Sequence, residues 1–457
     1  MIPEIALLYK FLLIATAIPI VDVTIRLTKT RVKLATSKLG SKSDLGRLNG
    51  NDGLILSKQC QLSFKKTLEG VCVIAPTGEG KSSSVTIPIL LSNDLPKSSI
   101  VVADPKGEQY LLSAEYQRSI GRTPILFEPL GNSAKYNPLE QCKDFTEIRD
   151  LATNLIMNGD MAMQMATGRN GGSTEWQTMS IPLFIAALLR SKTISEAVKF
   201  LVETPSLELV ELLAREPNED IRQQFAIFMS SAESPKTMAS IKSTLLSSLQ
   251  LWTDHNIINS TAKSDFNPSD LRNKPIALYI KYDAFKSNYL SPFLSVFYSQ
   301  LIEKLMYCKG LPVTFILDEF GNIGRISNFE TAVTTGRSEG LSFLICIQDM
   351  VRLYEIYGKN KTTTILNCLK TKCVLPSISD YEALTYISNL CDDTEIATES
   401  YSGDKVSHSK TTRKLFTPGA IRMLKDDTIL IVAHNKYPFL DKQNTYYTQE
   451  KYTNNII

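Results

Sequence analysis

The chain has no pair of cysteines at CxxC spacing. Its eight cysteines are scattered, and only three histidines accompany them. That inventory excludes a zinc ribbon, a zinc finger or a disulfide scaffold, and predicts reduced thiols in a cytosolic body. Charge of one sign is also lacking. Fifty Lys and Arg face 47 Asp and Glu, a net +3, which argues for no particular partner. There is no helix-turn-helix, no RNP signature, no aromatic-basic array and no internal repeat. No uninterrupted apolar run reaches the ~20 residues of an ordinary spanning helix. What is present is ordinary for a folded protein: 457 residues, 43% hydrophobic and 21% charged. That is enough for two or three domains around a large core.

The N-terminus departs from this average. Residues 5–25 are apolar except for Lys10, Asp22 and a few small polar residues. The uninterrupted centre, 11–21, is short and contains Pro19. A cleaved signal peptide fits poorly, because no basic region precedes the apolar run. Instead Arg26, Lys29, Arg31, Lys33, Lys38 and Lys42 follow it. By the positive-inside tendency this predicts an N-terminal anchor over 1–30 in the inner or plasma membrane, with a cytoplasmic body. An interfacial helix, or one packed on a partner, is the alternative. Residues 31–69 read as a basic connector and the start of the body.

From residue 71 onward, apolar runs alternate with helical patterns. The runs are 71–75, 100–103, 124–127, 275–280, 313–317, 342–347, 371–375 and 428–433. Most are rich in Val, Ile and Leu without alternation, as strands buried on both faces are. An α/β fold with a mostly parallel sheet follows. Between about 150 and 265 the pattern turns all-helical, with periodic segments at 177–189, 194–202, 207–214 and 238–252. This predicts an all-α domain over 150–265, interrupting an α/β domain made of 70–149 and 266–440. Asn170-Gly171-Gly172-Ser173 reads as a flexible joint, and the polar residues at the C-terminus, 441–457, as a loose tail.

Residues 71–84, VCVIAPTGEGKSSS, carry the strongest chemical signal. An apolar strand opens into a glycine-bearing turn, and a helix begins near Lys81. Backbone N–H groups and the positive helix end then converge on a phosphate. Thr77, Gly78, Glu79, Gly80, Lys81, Ser82 and Ser83 are the expected nucleotide-binding residues. Lys81 would reach the β- and γ-phosphates, and Ser82 would help hold Mg²⁺. Ala75 stands where such loops usually have Gly.

A second element turns phosphate binding into hydrolysis. The run 313–317 leads directly into Asp318-Glu319-Phe320-Gly321. A buried strand that delivers two carboxylates is a Walker B arrangement. Asp318 would bind Mg²⁺, and Glu319 would orient and deprotonate the attacking water of an ATPase. Gln348, ending the next strand, is a candidate sensor of the γ-phosphate. Arg337, on the loop before that strand, is a candidate arginine finger for a neighbouring subunit. Position alone leaves an ordinary surface role open for both. Asp104-Pro105-Lys106-Gly107-Glu108 falls on the same sheet edge as the nucleotide. Lys106 there could touch nucleotide or DNA, or the segment could simply start a helix.

In their order along the chain these motifs resemble the type IV secretion and conjugation coupling proteins, the TraG/TraD-like P-loop ATPases. The resemblance runs from about residue 70 to 437. It rests on the phosphate loop followed by IPILL (87–91), then VADPKGE (102–108) and YNPL (136–139). SDF (264–266), LDEF (317–320), TGR (335–337), Gln348, YG (357–358) and the closing LFTPGAIRMLKDDTILIVA (415–433) complete it. The resemblance implies a RecA-like nucleotide-binding domain interrupted by an all-helical domain, and a homo-hexameric ring with ATP between subunits. In such a ring Arg337 acts in trans and Gln348 couples. It also implies DNA, relaxosome or protein substrates and secretion-channel components as partners. The family usually has two clear membrane helices where this chain shows one short candidate. The long C-terminal extension of some members is also missing, which would leave substrate choice to the helical domain or to adaptors.

The function expected from these features is an ATP-driven DNA translocase and substrate receptor. Two alternatives are a nucleotide-regulated docking platform with little motor activity, and a chromosome-segregation or repair translocase.

Overall fold

A computed structural model of the chain describes residues 37–45, 48–168, 174–402 and 405–456. The predicted anchor, the first basic residues after it and the 170–173 joint lie outside these residues. No described helix is long and apolar enough to cross a membrane.

All eight apolar runs form strands. They are β1 (Val71–Ile74), β2 (Ser99–Asp104), β3 (Thr123–Phe127), β4 (Ile276–Lys281), β5 (Val313–Leu317), β6 (Leu341–Ile347), β7 (Thr371–Val374) and, further on, Thr428–Ala433. The sequence reading missed the hairpin of β8 (Asp393–Ser402) and β9 (Lys405–Lys414), which makes Thr428–Ala433 β10, and it missed β11 (Phe439–Lys442). Nine strands form one sheet among the described residues, in the order β11-β10-β7-β1-β6-β5-β2-β4-β3. β1 to β7 run parallel to one another, and β10 pairs antiparallel with both β7 and β11.

Alternation along each strand divides the core. Cys72, Ile74, Val101, Ala103, Phe315, Leu317, Ile345 and Ile347 face one layer, continuous with the helices. Val71, Val73, Ile100, Val102, Ile316, Leu344 and Cys346 face the other, where Leu45, Leu48, Leu54, Leu56 and Leu62 of the connector close over them. A strand covered on both faces needs apolar residues at every position, which is why the runs were continuous.

Between β3 and β4 every described element is helical. The larger ones are Phe145–Thr167, Thr174–Arg190, Ile194–Glu203, Ser206–Ala214, Glu219–Ser231 and Pro235–Ser248. Several start on side-chain caps: Asp144 accepts from Glu147 N, Thr193 from Glu196 N and Ser234 from Thr237 N. Each cap satisfies an otherwise orphaned helix N–H. Helices Phe145–Thr167 and Pro235–Ser248 approach so closely at Gly159 that an added Cβ would lie 2.0 Å from the Ser248 carbonyl.

The helical run begins and ends at one clasp. Lys135 N donates to Asp265 Oδ2 at 3.0 Å, Asp265 N donates to Lys135 O at 2.9 Å, and Asn137 N donates to Ser264 Oγ at 3.1 Å. Tyr136 and Phe266 stack 5.5 Å apart behind it. The YNPL and SDF motifs are therefore two halves of one junction.

The C-terminus corrects an expectation. Residues 444–456 are not a loose tail: Tyr452 is buried among Ile87, Leu91 and Ile456. Its hydroxyl accepts from Asn444 Nδ2 at 2.7 Å, and Asn455 Nδ2 donates to Leu91 O at 2.9 Å. One aromatic ring and two amides anchor a stretch that looks featureless by composition.

The β8–β9 hairpin forms a second unit. It is an antiparallel ladder from Asp393↔Lys414 to Ser402↔Lys405, and Ser37 N donates to Asp393 O at 2.9 Å.

Candidate nucleotide-binding site

β1 lies between β7 and β6, and the chain leaves its carboxyl end in the 75–82 loop. Gly78 and Gly80 adopt φ of +90° and +82°, a region open to glycine at little cost. Ala75 stays outside that region and is fully buried in the core, so nothing there requires glycine. A π-helical turn follows over Ser82–Thr86. Ser84 N donates to Gly80 O at 2.8 Å and closes the loop.

The carboxyl ends of β2 and β5 complete a pocket with this loop. Among its lining residues are Thr77, Gly78, Gly80, Lys81, Ser82 and Ser83, with Asp104, Lys106, Gln109, Asp318 and Glu319 opposite. Glu79, expected to take part, is not among them. Ser82 Oγ donates to Asp318 Oδ2 at 2.8 Å. Gln109 Nε2 lies 3.5 Å from the same oxygen. β2 and β5 pair in register at Ala103↔Leu317, which sets Asp104 beside Asp318. Burial raises the Asp104 pKa. Backbone N–H bonds from Tyr110 and Gln109 oppose that rise, and the Asp318 charge adds to it.

Glu319 is held in a strained conformation. Its φ of 55° and ψ of 50° are left-handed, which costs a non-glycine residue about 1 kcal/mol or more. Both carboxylate oxygens are occupied: Asn322 Nδ2 donates to Oε2 at 2.8 Å, and Gln348 Nε2 donates to Oε1 at 3.2 Å. Gln348 Oε1 in turn accepts from Thr77 Oγ1 at 3.1 Å. One glutamine thus bridges the phosphate loop and the carboxylate.

Three buried polar atoms facing this edge have no hydrogen-bond partner among the described residues: Lys81 Nζ, Asp318 Oδ1 and Gln109 Oε1. A buried ammonium and a buried carboxylate oxygen left unpaired are costly, and such sites are built for a ligand. The set fits a nucleotide phosphate with a divalent cation. Lys81 and the loop N–H groups suit the anion, while Asp318 and Ser82 are hard oxygen donors of the kind Mg²⁺ prefers. No cluster of three or more His, Cys, Asp or Glu able to hold a metal occurs among the described residues.

Arg337 does not join this group. It lies before β6, at the amino edge of the sheet, where its Nη1 is 3.0 Å from Glu69 Oε1. Gln109 and Asn322 are site residues that the sequence reading missed. A Gln in the first turn of a helix and an Asn three residues past a carboxylate carry no local signal.

A family model described as type IV secretory system conjugative DNA transfer matches residues 33–457, so the chain belongs to that family. It is 28% identical over 406 residues to protein VirD4 of Rhizobium radiobacter, covering 82% of this chain and 56% of VirD4. It is 25% identical over 374 residues to the conjugal transfer protein TraG of Escherichia coli, covering 72% of this chain and 56% of TraG. The chain thus spans little more than half the length of these relatives. Among solved structures, the plasmid coupling protein TrwB in complex with ADP and Mg²⁺ superposes with a TM-score of 0.70 at 15% identity, covering 90% of this chain and 93% of that one. The shared fold is the RecA-like α/β arrangement.

Proposed function

We propose that this member of the conjugative DNA transfer family is an ATP-hydrolysing coupling protein, which drives DNA or a nucleoprotein substrate into a type IV secretion channel. The observation that carries this reading is the convergence of Lys81, the Ser82–Asp318 pair and the Thr77–Gln348–Glu319 chain on one sheet edge. A structure of the related TrwB holds ADP and Mg²⁺.

In this reading the loop N–H groups and Lys81 neutralise the phosphates, and Thr77, Gly80, Ser82 and Ser83 surround them. Mg²⁺, when bound, spreads the negative charge of the transferring phosphoryl group; Ser82 and Asp318 are the residues that would hold it. Glu319 accepts a proton from the attacking water, and Asn322 and Gln348 aim its two oxygens. Gln348 also touches Thr77, so loss of the terminal phosphate would alter the hold on Glu319. Arg337 sits at the sheet edge opposite the phosphate loop and would serve the nucleotide of an adjacent subunit in a homo-hexamer. The helical run 150–265 is the surface proposed to meet substrate, and residues 1–30 the membrane anchor of a cytoplasmic body.

The test is ATPase activity of purified protein, titrated with single- and double-stranded DNA at several protein concentrations. A motor shows DNA-stimulated hydrolysis rising cooperatively with protein concentration. Nucleotide binding without hydrolysis under any DNA condition would instead support a docking platform.

A further inference from the structure

β1 and β6 are hydrogen-bonded neighbours, and a side-chain contact closes the pair at each end. At the carboxyl ends Thr77 bonds Gln348. At the amino ends Glu69, two residues before β1, pairs with Arg337, four residues before β6. We propose that Glu69 is a positioning residue for Arg337: it holds the guanidinium against its own subunit and yields it to the nucleotide of the neighbouring one. This rests on the reading of Arg337 as acting in trans, and deepens it.

The Glu69 carboxylate is fixed. Its side chain is 9% exposed, and its backbone carbonyl accepts from Lys370 N at 3.0 Å, beside β7. Three side chains converge on it. Lys66 Nζ lies 3.1 Å from Oε1, Arg337 Nη1 3.0 Å from Oε1 and His434 Nδ1 2.9 Å from Oε2. His434 is itself pinned in a left-handed conformation at φ 51°. Of the three, Arg337 is the most exposed, at 48%.

This geometry makes the hold weak and reversible. When Arg337 leaves, Lys66 and His434 remain on the carboxylate, so no buried charge is orphaned and the usual penalty for breaking such a pair does not arise. A half-exposed ion pair contributes little on its own. A phosphate, with more charge and room for a bidentate guanidinium contact, outcompetes it. An arginine needed only to bridge the fold would be expected to be buried, with its partner depending on it; here neither holds.

The test uses the full chain and compares ATPase rate against protein concentration for wild type, Glu69→Gln, Glu69→Asp, Arg337→Ala and the Glu69→Gln/Arg337→Ala double variant. Release of the arginine predicts that Glu69→Gln raises kcat, or lowers the protein concentration for half-maximal rate, by threefold or more with KM little changed. The double variant should be as slow as Arg337→Ala alone. Glu69→Asp, which keeps a charge for Lys66 and His434 but reaches Arg337 less well, should fall between, and it decides the matter if Glu69→Gln does not fold. An unchanged or reduced rate in a folded Glu69 variant, or the same change with and without Arg337, overturns the proposal while leaving the trans-acting arginine intact. Wild-type hydrolysis by Arg337→Ala removes that reading and this proposal together.

Discussion

Gln348 donates its side-chain amide to Glu319 at 3.2 Å, across the gap between the ends of β6 and β5. Its carbonyl oxygen is taken by Thr77 of the phosphate loop. The carboxylate proposed to accept a proton from water is therefore aimed by a residue that also touches the loop holding the phosphates.

Gln348→Ala should leave nucleotide affinity within a few-fold of wild type and lower kcat roughly 100-fold, the loss expected when a reacting group drifts by an ångström. Equilibrium binding of a nucleotide analogue and steady-state hydrolysis, measured on the same preparation, separate the two effects. A parallel loss of affinity would show that the bridge shapes the loop rather than the carboxylate.

Lys81→Met should abolish the thermal stabilisation that Mg²⁺ and ATP confer. At 100 times Kd that stabilisation is about 2.7 kcal/mol for wild type. Without nucleotide the variant should melt no lower than wild type, because it removes a buried ammonium with no hydrogen-bond partner among the described residues. Differential scanning fluorimetry with and without nucleotide reads both.

Burial raises the pKa of Asp104 above its unfolded value, so its ionised form costs stability above the folded pKa. That cost is relieved as pH falls and the carboxyl takes up its proton. Asp104→Asn, whose amide oxygen still accepts from Tyr110 N, should therefore melt higher than wild type at neutral pH. The difference should narrow as the pH is lowered into the acid range. A gap that widens on acidification would mean the carboxylate is stabilising.

Gly159→Ala should destabilise by about 1–3 kcal/mol, since two helices must separate to admit the methyl group. Urea denaturation measures this. ATP hydrolysis per folded molecule should change little, because neither Gly159 nor Ser248 lines the nucleotide pocket.

Much of the fold was legible because its sheet is covered on both faces, and continuous apolar runs have no other ready explanation. The β8–β9 hairpin escaped notice because Thr, Ser and Lys fill it and no apolar alternation marks a buried side. β11 has four residues, and its pairing with β10 is a tertiary fact. At the site, Lys81, Ser82, Asp318 and Glu319 were visible from glycine spacing and strand ends. Gln109 reaches Asp318 only because β2 packs beside β5, and Glu69 reaches Arg337 only because β1 packs beside β6. Contacts made by sheet order leave no mark on the local sequence.

The Lys135–Asp265 clasp has a consequence for how the molecule is acquired and varied. The helical run departs from the body and returns to it at the same point, and its first helix also packs on the body, where Arg325 N donates to Asn158 Oδ1 at 3.1 Å. Closing the excursion at its base costs the body a loop-closure entropy that grows slowly with length. Helices away from the Asn158 contact can then be lengthened or exchanged while the nucleotide edge keeps its register. Swapping this run between relatives at the clasp is accordingly the natural cut for testing the proposal that it meets the substrate.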